Sequence, residues 1–337
     1  MPLDTLPMYN LCCISLSLKE QGFRHRALRF NQFEKLERSA ALEAVGERAL
    51  ANLSTTLETM RYAKDRGWGY RISSSLFPLF NLDKAKVGLA DLPNQDLIEA
   101  KFREIHDLVG TLSPREFRIS FHPDHFNVLC SENPEVVERT IGELGHHGWL
   151  MDRMAGIDSR NYWYPFNVHI GRSSGDPEQI AKEFIKNYER LEDSVKTRLV
   201  VENEDKGLWT PDKLHELIHK PTGIPITYDN LHHGCNPGKW SVQQAFQVCA
   251  DSWLLHEVNP LFHYSEGVPG AKNPRAHAGF GTCTPKLWMN RHGLTNDCVD
   301  PYSIDFDIEL KEKDFAIIRM KEAEEQLAGN TDQSPLC

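Results

Sequence analysis

The sequence predicts a (β/α)8 barrel of the TIM type, and three observations carry that prediction. Eight short β-rich runs alternate with helix-like stretches along the chain. The 337 residues are a suitable length for eight such units in one domain. The rival fold, a doubly wound open sheet, would carry GxGxxG after its first strand, and none follows here.

The elements follow in order. The run LCCISLSL (11–18) reads as the first strand, and the stretch 41–67 as a helix with apolar residues at three- and four-residue spacings closing on Gly67. GYRISSSLF (69–77) is the second strand and QDLIEAKFREIHDLVGTL (95–112) the next helix. FRISFH (117–122), FNVHIG (166–171), RLVVEN (198–203), IPITYDN (224–230), PLFHYS (260–265) and IDFDIEL (304–310) supply strands three to eight. Helices at 133–156, 176–195 and 210–220 separate them, opening on Asn-Pro, Asp-Pro and Thr-Pro as N-caps followed by a first-turn proline. Residues 266–298 form a long loop with at most one short helix. The barrel domain is expected over 1–315, with a closing helix and a frayed tail over 316–337.

Composition narrows the function. The chain is 40% hydrophobic and 26% charged, which suits a globular protein with a large core. No apolar run approaches a membrane span, and Asp4 stands where a signal peptide would want positive charge, so a cytoplasmic location without a membrane partner is expected. Eight cysteines occur without any CxxC, so reduced thiols are expected rather than a zinc knuckle or a disulfide framework. The net charge of −10 argues against a generic nucleic-acid coat. It leaves room for a DNA enzyme, because carboxylates that hold metal ions do not present their formal charge to a substrate.

Metal-capable side chains fall at the strand ends. Strand three ends at His122, strand four at His169, strand five at Glu202 and strand six at Asp229, with His232 three residues on. Strand seven ends at His263, its loop carries His277, and strand eight ends at Glu309. A lone histidine of this kind is more often a packed or solvated residue than a ligand, and His146, His147, His215, His219, His256 and His292 are read that way. Six successive strands each ending in a ligand type is a different matter, because strand ends of a barrel converge on one face. Five imidazoles and three carboxylates without thiolate suit more than one divalent ion, zinc or manganese by donor type. This also explains how Glu202, Glu204 and Asp205 can follow one another at a strand tip: cations sit between Glu202, Asp229 and Glu309.

These residues resemble the UV damage endonuclease family over about residues 10 to 315. The resemblance rests on RISSSLFP (71–78), RISFHPDHFNVL (118–129), NVHIG (167–171), VVENEDKGLW (200–209), YDNLHHGCNPG (228–238), HYSEG (263–267), KNPRAHA (272–278) and DIELKEK (307–313) in this order. The family is similar in fold and metal site to apurinic endonucleases of the endonuclease IV type. It nicks DNA immediately 5′ of pyrimidine photodimers and some other lesions, using two or three divalent ions. The resemblance implies manganese first, with zinc, magnesium or cobalt as alternatives. It implies the eight residues above as ligands, with Glu202, Asp229 and Glu309 as the catalytic carboxylates and Glu202 as the bridge. Lys272 and Arg275 are candidates for phosphate contacts, and damaged double-stranded DNA is the expected partner of a monomer.

Departures from the family bear on metal count and lesion range. Leu261 stands where some relatives have a lysine that can be carboxylated, and Ser75 where some have a histidine. His125-Phe126 replaces the usual Gln-aromatic probing pair, leaving Phe126 as the wedge for a damaged step. Asn10-Leu11 replaces Gly-Tyr at strand one, so the adjacent Tyr9 is the expected substitute. Two other readings fit the same residue types: a divalent-metal sugar isomerase or epimerase on a similar barrel, and a damage-binding protein without turnover.

Overall fold

The computed structural model describes residues 7–294 and 303–331. Cys298 and the tail from residue 332 lie outside the described residues. Eight parallel strands run β1 (Tyr9–Cys12), β2 (Gly69–Ile72), β3 (Ile119–Phe121), β4 (Phe166–Val168), β5 (Leu199–Glu202), β6 (Ile226–Thr227), β7 (Leu261–Tyr264) and β8 (Asp305–Ile308). They are ordered β6-β5-β4-β3-β2-β1-β8-β7. The two ends of that order meet through a parallel bridge between Asp229 and His263, with His263 N–H donating to Tyr228 O at 3.0 Å. Two expected metal-site residues therefore form the seam that closes the barrel.

The principal helices lie where three- and four-residue spacing placed them: Arg38–Lys64, Gln95–Gly110, Pro134–Ala155 and Pro177–Tyr188. Asn133 and Asp176 cap two of them, their side chains accepting from Glu135 N–H and Glu178 N–H. The run 210–220 is helical from Pro211, passing through a π turn at His215–His219. Among the described residues no helix is long and apolar enough to cross a membrane. The described cysteines are free thiols.

The first strand differs from its expectation over 11–18. It begins two residues earlier and ends at Cys12, where Cys13 takes φ 69° and turns the chain out of the sheet. Ser15 then caps a helix, Leu16–Glu20, by accepting from Leu18 N–H. The alternation in ISLSL predicts strand, but a distant carboxylate fixes it as helix. Asp314, at the start of the closing helix Lys313–Thr331, accepts from Leu16 N–H (2.6 Å), Ser17 N–H (3.1 Å), Ser15 Oγ (3.0 Å) and Tyr62 Oη (3.1 Å).

Burial pulls the Asp314 carboxyl up, but the donors from Ser17, Leu16 and Ser15 outweigh it and leave the group below its ordinary value. The unfolded chain then takes up the proton first. The stabilisation is whole above the unfolded value of about 4 and drains as pH falls through the lower folded value. We expect Asp314→Asn to cost about 1–3 kcal/mol at pH 7 and progressively less below pH ~4. Urea unfolding at the two pH values checks this, and an equal deficit at both would remove the carboxylate from the account.

Candidate metal centre

Side chains alternate across a strand, so residues two apart share a face. That rule places His122, His169, Glu202, Asp229 and Glu309 at the C-terminal ends of their strands, with His263 one residue inside the end of β7. His232 comes from the short helix Asn230–Cys235, which Asp229 caps through His232 N–H (2.7 Å). His277 comes from the loop after β7, pinned by a bridge to Gly267. Ring centroids link the five imidazoles in one chain: His263–His122 5.5 Å, His122–His169 5.2 Å, His169–His232 5.9 Å and His232–His277 6.4 Å.

Three triplets of donor atoms lie within 4.8 Å of one another: His122, His169 and Glu202; His122, His263 and Glu309; Glu202, Asp229 and His263. Glu202, His122 and His263 each belong to two. Around the buried Glu202 carboxylate stand His232 Nδ1 at 3.0 Å, His122 Nε2 and His263 Nδ1 at 3.2 Å, and His169 Nε2 at 3.6 Å. Glu202 Oε1, Asp229 Oδ2 and His263 Nδ1 are buried with no hydrogen-bond partner, even though His263 and Glu202 are this close. The three polar atoms are gathered within 4.8 Å of one another without satisfying each other. Buried polar atoms left this way are rare, and a divalent cation fits the donor set.

Backbone carbonyls orient three of the rings. His122 Nδ1 faces Pro123 O (3.1 Å), His232 Nδ1 faces Asn203 O (2.9 Å) and His277 Nδ1 faces Glu309 O (3.1 Å). A proton on each Nδ1 makes that bond and leaves the Nε2 lone pair bare, the tautomer a metal ligand needs. Electrostatics follow from crowding in a dry site. Burial raises Glu202, but His263 and His169 outweigh it and hold the carboxyl well below its usual range. Burial lowers His263, but Glu202 and Glu309 carry it up to about 9, whereas burial takes His169 down to about 4. Burial leaves Asp229 raised. The two neighbours of Glu202 are occupied elsewhere: Glu204 Oε1 accepts from Gly171 N–H (2.8 Å), and Asp205 faces Arg275 at 3.5 Å.

A family model described as UV-endonuclease UvdE matches residues 8–335. The chain belongs to the UV-endonuclease UvdE family. A UV DNA damage endonuclease of Bacillus pumilus is 28% identical over 307 residues, covering 90% of each chain. The fold is that of the crystal structure of SacUVDE, with a TM-score of 0.76, 24% identity, and 96% of this chain and 99% of that one covered. Endonuclease IV from Thermus thermophilus shares it more distantly, at a TM-score of 0.51 and 18% identity over 80% of this chain and 94% of that one.

Beneath the eight residues lies a polar layer that the reading of strand ends missed. Arg71 in β2 contacts Glu309 and lies 3.6 Å from Asp307. Asp307 in β8 accepts from Asn10 Nδ2 (2.9 Å) and faces His263 Nε2 at 3.6 Å. Asn167 in β4 donates to Glu202, and Asn203 exchanges bonds with the Asp229 backbone at 2.8 and 3.1 Å. Asn167 and Asp307 each sit two residues before a strand-end residue, so stepping back by the strand period would have found both.

The residues expected to touch DNA divide in this UvdE-family barrel. His125 and Phe126 lie in the loop after β3 with ring centroids 4.1 Å apart, and Phe126 is 66% exposed, a large apolar surface left to solvent. Lys272 is exposed on the loop that carries His277, while Arg275 is held by Asp205 and by Asn273 Oδ1 (3.3 Å). Tyr9 is a correction. It is 1% exposed, and its hydroxyl donates to Glu324 of the closing helix at 2.6 Å. Asn10 faces the barrel interior, so its neighbour must face the outer helix layer and has no path to DNA. Leu261 is buried in the core one strand period below His263, and Ser75 is exposed. His147, His219 and His256 contact the backbone carbonyls of Glu143, Ile224 and Gly223, away from the cluster.

Proposed function

We propose that this chain is a divalent-metal-dependent repair endonuclease that hydrolyses the phosphodiester bond 5′ of UV photoproducts and related lesions in double-stranded DNA. It acts inside the cell as a monomer, with two or three ions, manganese first among them. The observation that carries the reading is the sharing of Glu202, His122 and His263 among three overlapping donor triplets. Ions at such a centre supply a nucleophile at neutral pH and neutralise charge on the phosphate and the leaving oxygen.

The chain's own residues do the rest. His122, His169, His232, His263, His277, Asp229 and Glu309 hold the centre around Glu202, and Arg71 fixes Glu309 from below. Lys272, and Arg275 once released from Asp205, neutralise flanking phosphates. Phe126 enters the stack at the distorted step and His125 offers a hydrogen bond beside it, because unstacking is easiest where pairing is already damaged.

Purified protein with Mn²⁺ is to be incubated with a UV-irradiated oligonucleotide duplex and an undamaged control. Nicking confined to the lesion is the expected result, and no nicking of either duplex overturns the reading. In the same assay Phe126→Ala is expected to lower preference for the damaged duplex roughly 5- to 150-fold, the worth of one aromatic–base stack. Unchanged preference removes Phe126 from recognition.

A further inference from the structure

The helix Arg38–Lys64 has 27 residues and so runs about 40 Å, against about 13 Å for the four-residue strands beside it. Its C-terminal end meets β2 at the far side of the barrel, so its N-terminal half stands above the rim on the side of the mouth where Arg71 holds Glu309. Two loops lie against this wall, and their attachment is unusual. Asn52, fully buried in the helix, accepts from Arg26 N–H (2.6 Å) and donates to Arg26 O (3.1 Å). The same Nδ2 donates to Leu76 O (2.9 Å) in the loop after β2. One helical turn along, Thr55 Oγ1 donates to Arg24 O (3.5 Å) and Thr56 Oγ1 contacts His25 Nε2 (3.2 Å).

The consequence is a fixed display. With its backbone clamped and His25 turned inward, the segment presents Arg24 and Arg26 to solvent, and Arg29 follows, also exposed. No carboxylate occurs from Gln21 to Phe33, in a chain whose net charge is −10. Among the described residues no carboxylate lies within ion-pair distance of these three arginines, as is also true of Arg48, Arg66 and Arg115, whereas Arg61, Arg153, Arg160, Arg172 and Arg190 all have one; Arg24 Nε donates only to Lys19 O (3.3 Å). The second loop adds exposed Lys84 and Lys86. Lys84 Nζ sits 4.1 Å from the Phe30 ring, which joins the two loops, and Arg38 Nη1 at the start of the helix donates to Ala85 O (2.8 Å). Buried polar groups committed to holding uncompensated surface arginines argue for a polyanionic partner rather than ordinary solvation.

We infer that Arg24, Arg26 and Arg29 form a second phosphate-contact surface that grips the duplex backbone beside the metal mouth. The inference rests on the endonuclease reading. Its contribution is sequence-independent, because phosphate contacts set position and affinity without reading bases.

The test compares the full chain with Arg24→Gln/Arg26→Gln/Arg29→Gln, measuring binding of the UV-irradiated duplex and of the undamaged one across a salt series. Losing three phosphate contacts lowers the slope of log K against log salt by about 2.7, so over a fourfold rise in salt the parent loses about 40-fold more affinity than the variant. Both duplexes are affected alike, and in the nicking assay the change falls on KM rather than kcat. Asn52→Ala, which frees the strip without removing charge, raises KM by a smaller factor. An unchanged salt slope in a triple variant that keeps the parent's circular dichroism overturns the surface while nicking by the parent still stands. A parent that nicks neither duplex overturns the endonuclease reading instead.

Discussion

Glu202→Gln lowers the single-turnover rate of nicking a UV-irradiated duplex by about 10³-fold or more, the scale at which removing a preorganised electrostatic partner acts. The carboxylate is the hub: four imidazole nitrogens stand within 3.6 Å of it, and it belongs to two of the three donor triplets. Glutamine keeps its volume, so no cavity opens. The change replaces an anionic acceptor by a neutral amide whose NH₂ points hydrogens at lone pairs aimed into the centre. It also gives up the attraction between the Glu202 charge and His263 and His169, but leaves the packed core around the centre unchanged. The metal-free variant therefore keeps its fold, and the gain in thermal stability on adding Mn²⁺ shrinks, since a ligand stabilises only in proportion to its affinity for the folded state. Circular dichroism, thermal unfolding with and without Mn²⁺, and elemental analysis of the reloaded protein read these separately. Near-normal cleavage by the variant would falsify the shared role of Glu202.

What the sequence made legible and what it hid have different physical causes. A strand-end candidate ligand is visible because it interrupts an apolar run with a charged or imidazole group, as Glu202 does after Leu199–Val201. The six strand-end residues come together in the barrel mouth with His232 and His277 from the segments that follow β6 and β7. Arg71 and Asp307 interrupt their strands before the end, so a search of strand ends passes over them. Only the closed barrel turns their face into a lumen and pairs them with Glu309 and His263. Tyr9 failed for the related reason that adjacency in sequence means opposite faces in a strand. The run 11–18 misled because its alternation is local, while the decision is made by Asp314, about 300 residues away. Propensity has no access to that contact.

Arg118→Met costs about 3–5 kcal/mol of folding stability, because it strips the partner from a buried carboxylate. Arg118 is fully buried at the N-terminal end of β3. Its guanidinium donates to Asp305 Oδ2 (3.0 Å), Asn259 O (2.9 Å), Trp163 O (3.0 Å) and Tyr162 O (3.0 Å), so it ties β8 to the loops entering β4 and β7. Methionine fills much of the space but leaves three carbonyls unpaired and the carboxylate with only the Met8 N–H (3.2 Å) as donor. Burial already holds the Asp305 carboxyl above its ordinary value with Arg118 present. In the variant only the Met8 N–H opposes that upward push. A carboxyl with a raised folded value takes its proton in the folded state first, so the deficit is smallest below the unfolded value of about 4 and grows as pH rises through the folded one. Urea unfolding at pH 5 and pH 8 is expected to show the larger loss at pH 8. Adding Asp305→Asn to Arg118→Met recovers part of it, since the amide buries no charge. A single variant within about 0.5 kcal/mol of the parent at pH 8 would show that water reaches Asp305. Because Asp305 lies one strand period below Asp307 and two below Glu309, the variant keeps its metal-dependent nicking at temperatures where it stays folded. The floor of the barrel then governs stability while its mouth governs chemistry.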